Sequence, residues 1–105
     1  MRVLVMSVNL RATWVHSLKE KRMVVRSISQ RLKNKFNISV NEVGSQDLHQ
    51  SITIGISSIC ATSAQVDSTA ENIINFIEAN TDAELTNIEK EVIVFKNFKN
   101  KYWQY

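Results

Sequence analysis

"NISVNEVGSQDLHQSITIGISSIC", residues 37–60, is the stretch that decides the fold. Its first run alternates, with Ile38 and Val40 on one side. Its second run places Ile52, Ile54 and Ile56 on one side and Ser51, Thr53, Gly55 and Ser57 on the other. A period of two is the signature of a strand. Only a short polar segment separates the runs, which predicts an antiparallel hairpin. A parallel pair would need a crossover of about a dozen residues or more.

Working outward, Ser17 with Glu20 three residues on forms a capping-box pattern. Leu18, Val25, Ile28, Leu32 and Phe36 follow at helical spacing, predicting an amphipathic helix over about 18–35. Before it, residues 2–10 alternate, with Leu4, Met6, Val8 and Leu10 on one side. Downstream of the hairpin, Thr62 with Gln65 repeats the capping pattern. Val66, Ala70, Ile73, Ile74 and Ile77 give a second helix its apolar stripe, and 85–95 reads as a last strand. The order is β-α-β-β-α-β. Two such halves make an α+β, ferredoxin-like βαββαβ sandwich: a four-stranded antiparallel sheet, first and third strands central, with two helices on one face. Proline is absent and no linker composition or tandem repeat interrupts the chain. Residues 1–95 are therefore expected to form a single ferredoxin-like domain, followed by a basic aromatic C-terminal tail, 96–105.

The 105 residues carry a net charge of +3, distributed unevenly. Residues 1–36 sum to +8, 37–95 to −8 and 96–105 to +3. Such asymmetry suggests a basic surface for an anionic partner; its alternative is neutralisation of one half by the other across the fold. Cys60 is the single cysteine, which rules out an internal disulfide and a cysteine-based metal cluster. No apolar run approaches the roughly 20 residues of a membrane span, and the opening residues read as a strand rather than a signal peptide. A cytoplasmic setting is expected.

"SLKEKR" (17–22), "FNISV" (36–40), Glu42, "QDLHQ" (46–50) and Gly55 stand in the order seen in YlxP-like proteins, and the chain resembles that family over roughly 2–95. These are small bacterial proteins grouped as a domain of unknown function. The resemblance implies a ferredoxin-like fold and a cytoplasmic protein. It also implies a role in ribosome maturation or translation, because the family's genes often lie near those for transcription, translation-initiation and ribosome-binding factors. No enzymatic activity is established for the family. Relatives commonly place an aromatic, usually Trp, where this chain has His49, and the aromatic tail lies outside the shared pattern.

Two groups of residues are candidates for function. Lys19, Arg22, Arg26 and Lys33 fall in one stripe of the first helix, spaced to follow a phosphate backbone; the alternative is a solvated face ion-paired to the acidic second half. The loop residues Gln46, Asp47, His49 and Gln50 either satisfy loop backbone groups or contact a partner, and Gly44 is available for a positive φ. Glu42 points toward the helix layer and needs a cation there, with Lys19 or Arg22 as the expected source. Catalysis is not expected. Asp47 and His49 lack an activated nucleophile, and His16 is the only other histidine, too little for a metal site. The chain's two glycines, at 44 and 55, cannot build a phosphate loop. The small residues of the third strand offer no aromatic for base stacking as an RRM sheet does. Cys60 is expected to be buried and His16 exposed, while Trp14 is either a core lid or an exposed contact. The leading expectation is thus a non-enzymatic binding module for ribosomal RNA or a ribosomal subunit, with the first helix and the tail contacting phosphates. The alternative is a protein-interaction module that homodimerises through its open sheet face, where Val3, Val5 and Val43 lie. No membrane partner, small-molecule cofactor or metal is expected.

Overall fold

The computed structural model describes residues 1–45 and 48–96. The elements run β1 (Arg2–Arg11), α1 (Leu18–Lys35), β2 (Ser39–Gly44), β3 (Ser51–Cys60), α2 (Ser63–Asn80) and β4 (Glu84–Val94). Both helices start where a hydroxyl can take an orphan amide. Ser17 accepts from the Glu20 N–H at 3.1 Å, and Thr62 from the Gln65 N–H at 3.1 Å. Gln65 also reaches back, accepting the Ala61 N–H at 2.7 Å. Each helix ends in an extended residue, Phe36 or Thr81.

The strands order β2-β3-β1-β4, all neighbours antiparallel, so the first and third strands are central as expected. Leu4, Met6, Val8 and Leu10 of β1 and Ile52, Ile54 and Ile56 of β3 turn to one side. There they form a single buried core with Ile28 and Leu32 of α1 and Val66, Ala70, Ile73 and Ile77 of α2. Both helices therefore cover the same sheet face. The two meet edge-on at Phe36 and Phe76, whose ring centroids are 5.5 Å apart, and Arg31 donates to the carbonyl of Asn80 at the end of α2 (2.9 Å). The opposite sheet face has no layer over it among the described residues. There the register lines up Ile93, Val3 and Ile59 across three strands, then Glu91, Val5 and Ser57, then Glu89, Ser7 and Gly55.

Three details depart from the sequence expectations. Ile38 packs against the core but precedes β2, which starts at Ser39. Leu18 is exposed, because the inward position of the first turn of α1 is taken by Lys21. Irregularities between Asn9 and Leu10, facing β4, and between Glu42 and Gly44, facing β3, shift the ladders by one residue. The second lets Val43 lean over Gly55, where a Cβ would stand 2.8 Å from Val43 Cγ1.

Candidate functional site: a basic helix face and a lysine-pinned loop

The cations of α1 divide between two faces. Lys19, Arg22, Arg26 and Lys33 are all exposed. At about 100° per residue they fall within about 60° of the wheel, and the rise from residue 19 to residue 33 spreads them along ~21 Å. Among the described residues the only salt bridge is Lys21 to Glu42, so none of the four is held by a described carboxylate. The acids Asp67, Glu71 and Glu78 stand exposed on α2. The neutralisation of the basic half by the acidic half is thus not made at this stripe by the described residues.

Lys21 lies on the other face and is 2% exposed. Its Nζ stands 3.0 Å from Glu42 Oε2, donates to the Leu48 carbonyl at 2.7 Å, and donates to the Ser45 carbonyl. The Glu42 contact is a charge pair off the hydrogen-bonding axis, since Oε2 has no aligned donor. Lys21, rather than Lys19 or Arg22, is therefore the partner of Glu42. The reason is geometric: Lys21 precedes Ile28 and Leu32 by seven and eleven residues, which places it in their inward row. A buried ammonium requires a carboxylate and further acceptors, and the hairpin supplies all of them.

Gln50 is the second clamp. Its Nε2 donates to the carbonyls of Thr13 and Val15, both at 3.1 Å, and its own carbonyl accepts the Ala12 N–H at 2.9 Å. The loop is thereby tied to the β1–α1 connection on one side and to the first turn of α1 on the other. Gly44 does not take the positive φ; Ser45 does, at 62°. The ladder irregularity before Gly44 keeps that residue in β2, and the left-handed step falls one residue later. Ser45 Oγ and Thr53 Oγ1 share a hydrogen bond of 3.1 Å there. His49 and Leu48 are exposed, the latter at 59%. Gln46 and Asp47 lie outside the described residues, as does the tail beyond Lys96. The two described loop candidates thus differ: Gln50 supports the loop, while His49 is exposed beside the clamped backbone.

Trp14 is exposed rather than a core lid, and it lines an open groove of about 570 Å³ between the helices with Met23, Val24, Arg31 and Glu78. His16 is exposed and Cys60 is buried, as expected. Among the described residues there is no group of His, Cys, Asp and Glu able to hold a metal, and no helix long and apolar enough to cross a membrane.

A βαββαβ sandwich with one sheet face uncovered among the described residues, a basic helix and a lysine-clamped hairpin defines a small α+β module. The family is shown by comparison: residues 3–90 match the model described as "Protein of unknown function (DUF503)", and the chain belongs to this family. The chain is also 37% identical over 70 residues to "Uncharacterized protein YlxP" of Bacillus subtilis (strain 168), covering 67% of this chain and 76% of the relative. Among solved structures, the de novo designed protein Foldit4 superposes with a TM-score of 0.50 at 13% identity, over 90% of this chain and 99% of the design. At that identity the likeness concerns the fold alone.

Proposed function

We propose that this protein is a non-enzymatic binding module whose α1 face engages the phosphate backbone of RNA. Ribosomal RNA or a pre-ribosomal particle is the partner class that the family resemblance favours. The observation that carries the reading is the stripe of Lys19, Arg22, Arg26 and Lys33: aligned, exposed and free of described carboxylate partners. Cations that no described carboxylate neutralises are available to displace counterions from a polyanion, the dominant source of backbone affinity. The loop sits at the N-terminal end of the same helix and offers His49 and Leu48 for local contacts, held in place by Lys21 and Gln50.

The test is RNA binding by the wild type and by the R22Q/R26Q/K33Q variant at several salt concentrations. Glutamine retains helix propensity. The variant is expected to bind more weakly to all sequences, with a slope of log affinity against log salt smaller by about two to three. Superimposable curves would remove α1 from the binding surface. The second reading, a homodimerising interaction module, has in its favour the exposed Val5, Ile59 and Ile93 on the uncovered sheet face. Self-association that persists at high salt, in a protein without salt-sensitive RNA affinity, would favour it.

A further inference from the structure

Trp14 stands 43% exposed on the turn between β1 and α1, and the backbone around it is fixed. Ala12 and Val15 on either side of it are fully buried. The Val15 N–H donates to the Ala12 carbonyl at 3.2 Å, and the Ala12 N–H to the Gln50 carbonyl at 2.9 Å. Gln50 Nε2 holds the carbonyls of Thr13 and Val15, the two neighbours of Trp14. An indole presented on a pinned turn loses little ordering entropy when a flat ligand arrives.

That indole lines the open groove of about 570 Å³ between the helices, a volume in the range of small-ligand sites. Met23, 64% exposed, and Val24 add apolar lining, and Arg31, Glu78 and Asp82 supply its charges. Neither acid is in a salt bridge with a described residue. Two open carboxylates repel a phosphate, so the groove does not suit the backbone of a polyanion. They accept instead from ring amino groups, and the indole offers a face for stacking. A neutral, flat ring carrying amino donors meets both demands.

The groove also adjoins the cationic stripe. Met23 follows Lys19 by four residues and precedes Arg26 by three, which makes it a neighbour of both on the helix surface, about 5–6 Å away between Cβ atoms. A strand whose phosphates lie along the stripe therefore has its bases beside the groove. In a duplex those bases are paired and stacked inward, and they do not reach it. A cationic peptide suits the carboxylates but is repelled by the stripe at the groove's edge. We propose that the groove between the helices is a nucleobase site for single-stranded RNA: the base stacks on Trp14 with its amino group toward Glu78 or Asp82, and the phosphates lie on α1. The inference rests on the RNA reading of α1 and adds the form of RNA that is bound.

The test uses the full chain and a mixed-sequence RNA strand of ~16 nucleotides, free and annealed to its complement. Affinities of wild type, Trp14→Ala and Trp14→Phe are measured at several salt concentrations, with melts confirming that each variant is folded. Trp14→Ala should weaken binding of the free strand about 5- to 100-fold, the effect of one lost base–aromatic stack. Trp14→Phe, which keeps an aromatic face, should retain most of the affinity. The slope of log affinity against log salt should not change in either variant, because an indole displaces no counterion. Duplex affinity should be the same for all three proteins. Salt-sensitive binding of the free strand that Trp14→Ala leaves intact would overturn the nucleobase site while leaving the RNA reading of α1 standing. An equal loss on strand and duplex, or a Trp14→Phe loss as large as that of Trp14→Ala, would overturn stacking as the role of Trp14. RNA affinity absent from wild type would remove the reading of α1 and this site with it. Trp14-dependent binding of a synthetic lysine- and arginine-rich peptide in that case would assign the groove to a cationic protein segment.

Discussion

Lys19 and Lys21 are two residues apart on one helix and belong to different parts of the molecule. Lys19 stands in solvent with Arg22, Arg26 and Lys33, while Lys21 is sealed under the hairpin against Glu42 and two carbonyls. The difference teaches that "SLKEKR" is two motifs interleaved at helical period. One is an inward cation that fixes where the loop sits. The other is an outward row that no described carboxylate pairs. Removing a charge from the first should cost stability and leave the surface potential nearly intact. Removing charges from the second should do the reverse.

The largest expected effect follows from Lys21→Met, which keeps most of the stem but leaves Glu42 unpaired and the Ser45 and Leu48 carbonyls without their donor. A loss of about 2–4 kcal/mol is expected in urea unfolding, at the lower part of the range for broken buried pairs because Glu42 retains contact with water. Adding Glu42→Leu should recover part of it, since two apolar groups replace the pair. A single variant as stable as wild type would erase the distinction between the two lysines. Next comes Gln50→Ala, which removes the donor to Thr13 and Val15. Its cost should be about 1–2 kcal/mol, because the Thr13 carbonyl belongs to an exposed residue while that of Val15 belongs to a buried one. His49 imino-proton or ring signals should shift in the Gln50→Ala spectrum if the clamp positions that side chain. The smallest effect belongs to R22Q/R26Q/K33Q, where exposed sites predict changes within about 0.5 kcal/mol each. A markedly destabilised triple variant would mean that the stripe carries structural contacts after all.

The fold was legible because its signals are redundant. In β3, alternation of isoleucine with small residues marks both a strand and its buried side, and the capping hydroxyls Ser17 and Thr62 mark both helix starts. The site was legible only in part. The outward stripe needed nothing beyond a helical wheel. Lys21 was missed because a lysine is ordinarily sorted to the solvent side, although its spacing of seven to Ile28 put it in the core row. The positive φ was assigned to Gly44 because glycine adopts it without penalty. The bulge beside Glu42 moved the need to Ser45, and bulges leave little trace in a single sequence. Gln50 was singled out as a loop residue, but its acceptors, Thr13 and Val15, lie more than thirty positions away and depend on tertiary arrangement.

β4 lies at the edge of the sheet, so among the described residues one row of its backbone amides and carbonyls has no strand to meet. An eleven-residue edge that ends in Val92, Ile93 and Val94 is a template for the stacking of further copies. Its middle is instead Glu89, Lys90 and Glu91. Two copies meeting antiparallel about Lys90 would set Lys90 against its counterpart and each Glu89 against a Glu91; sliding by two residues, the step that keeps every side chain on its own face, sets Glu91 against Glu91. Like charges directly opposite disfavour pairing, so these three residues act as a gatekeeper against edge-to-edge aggregation of the chain with itself.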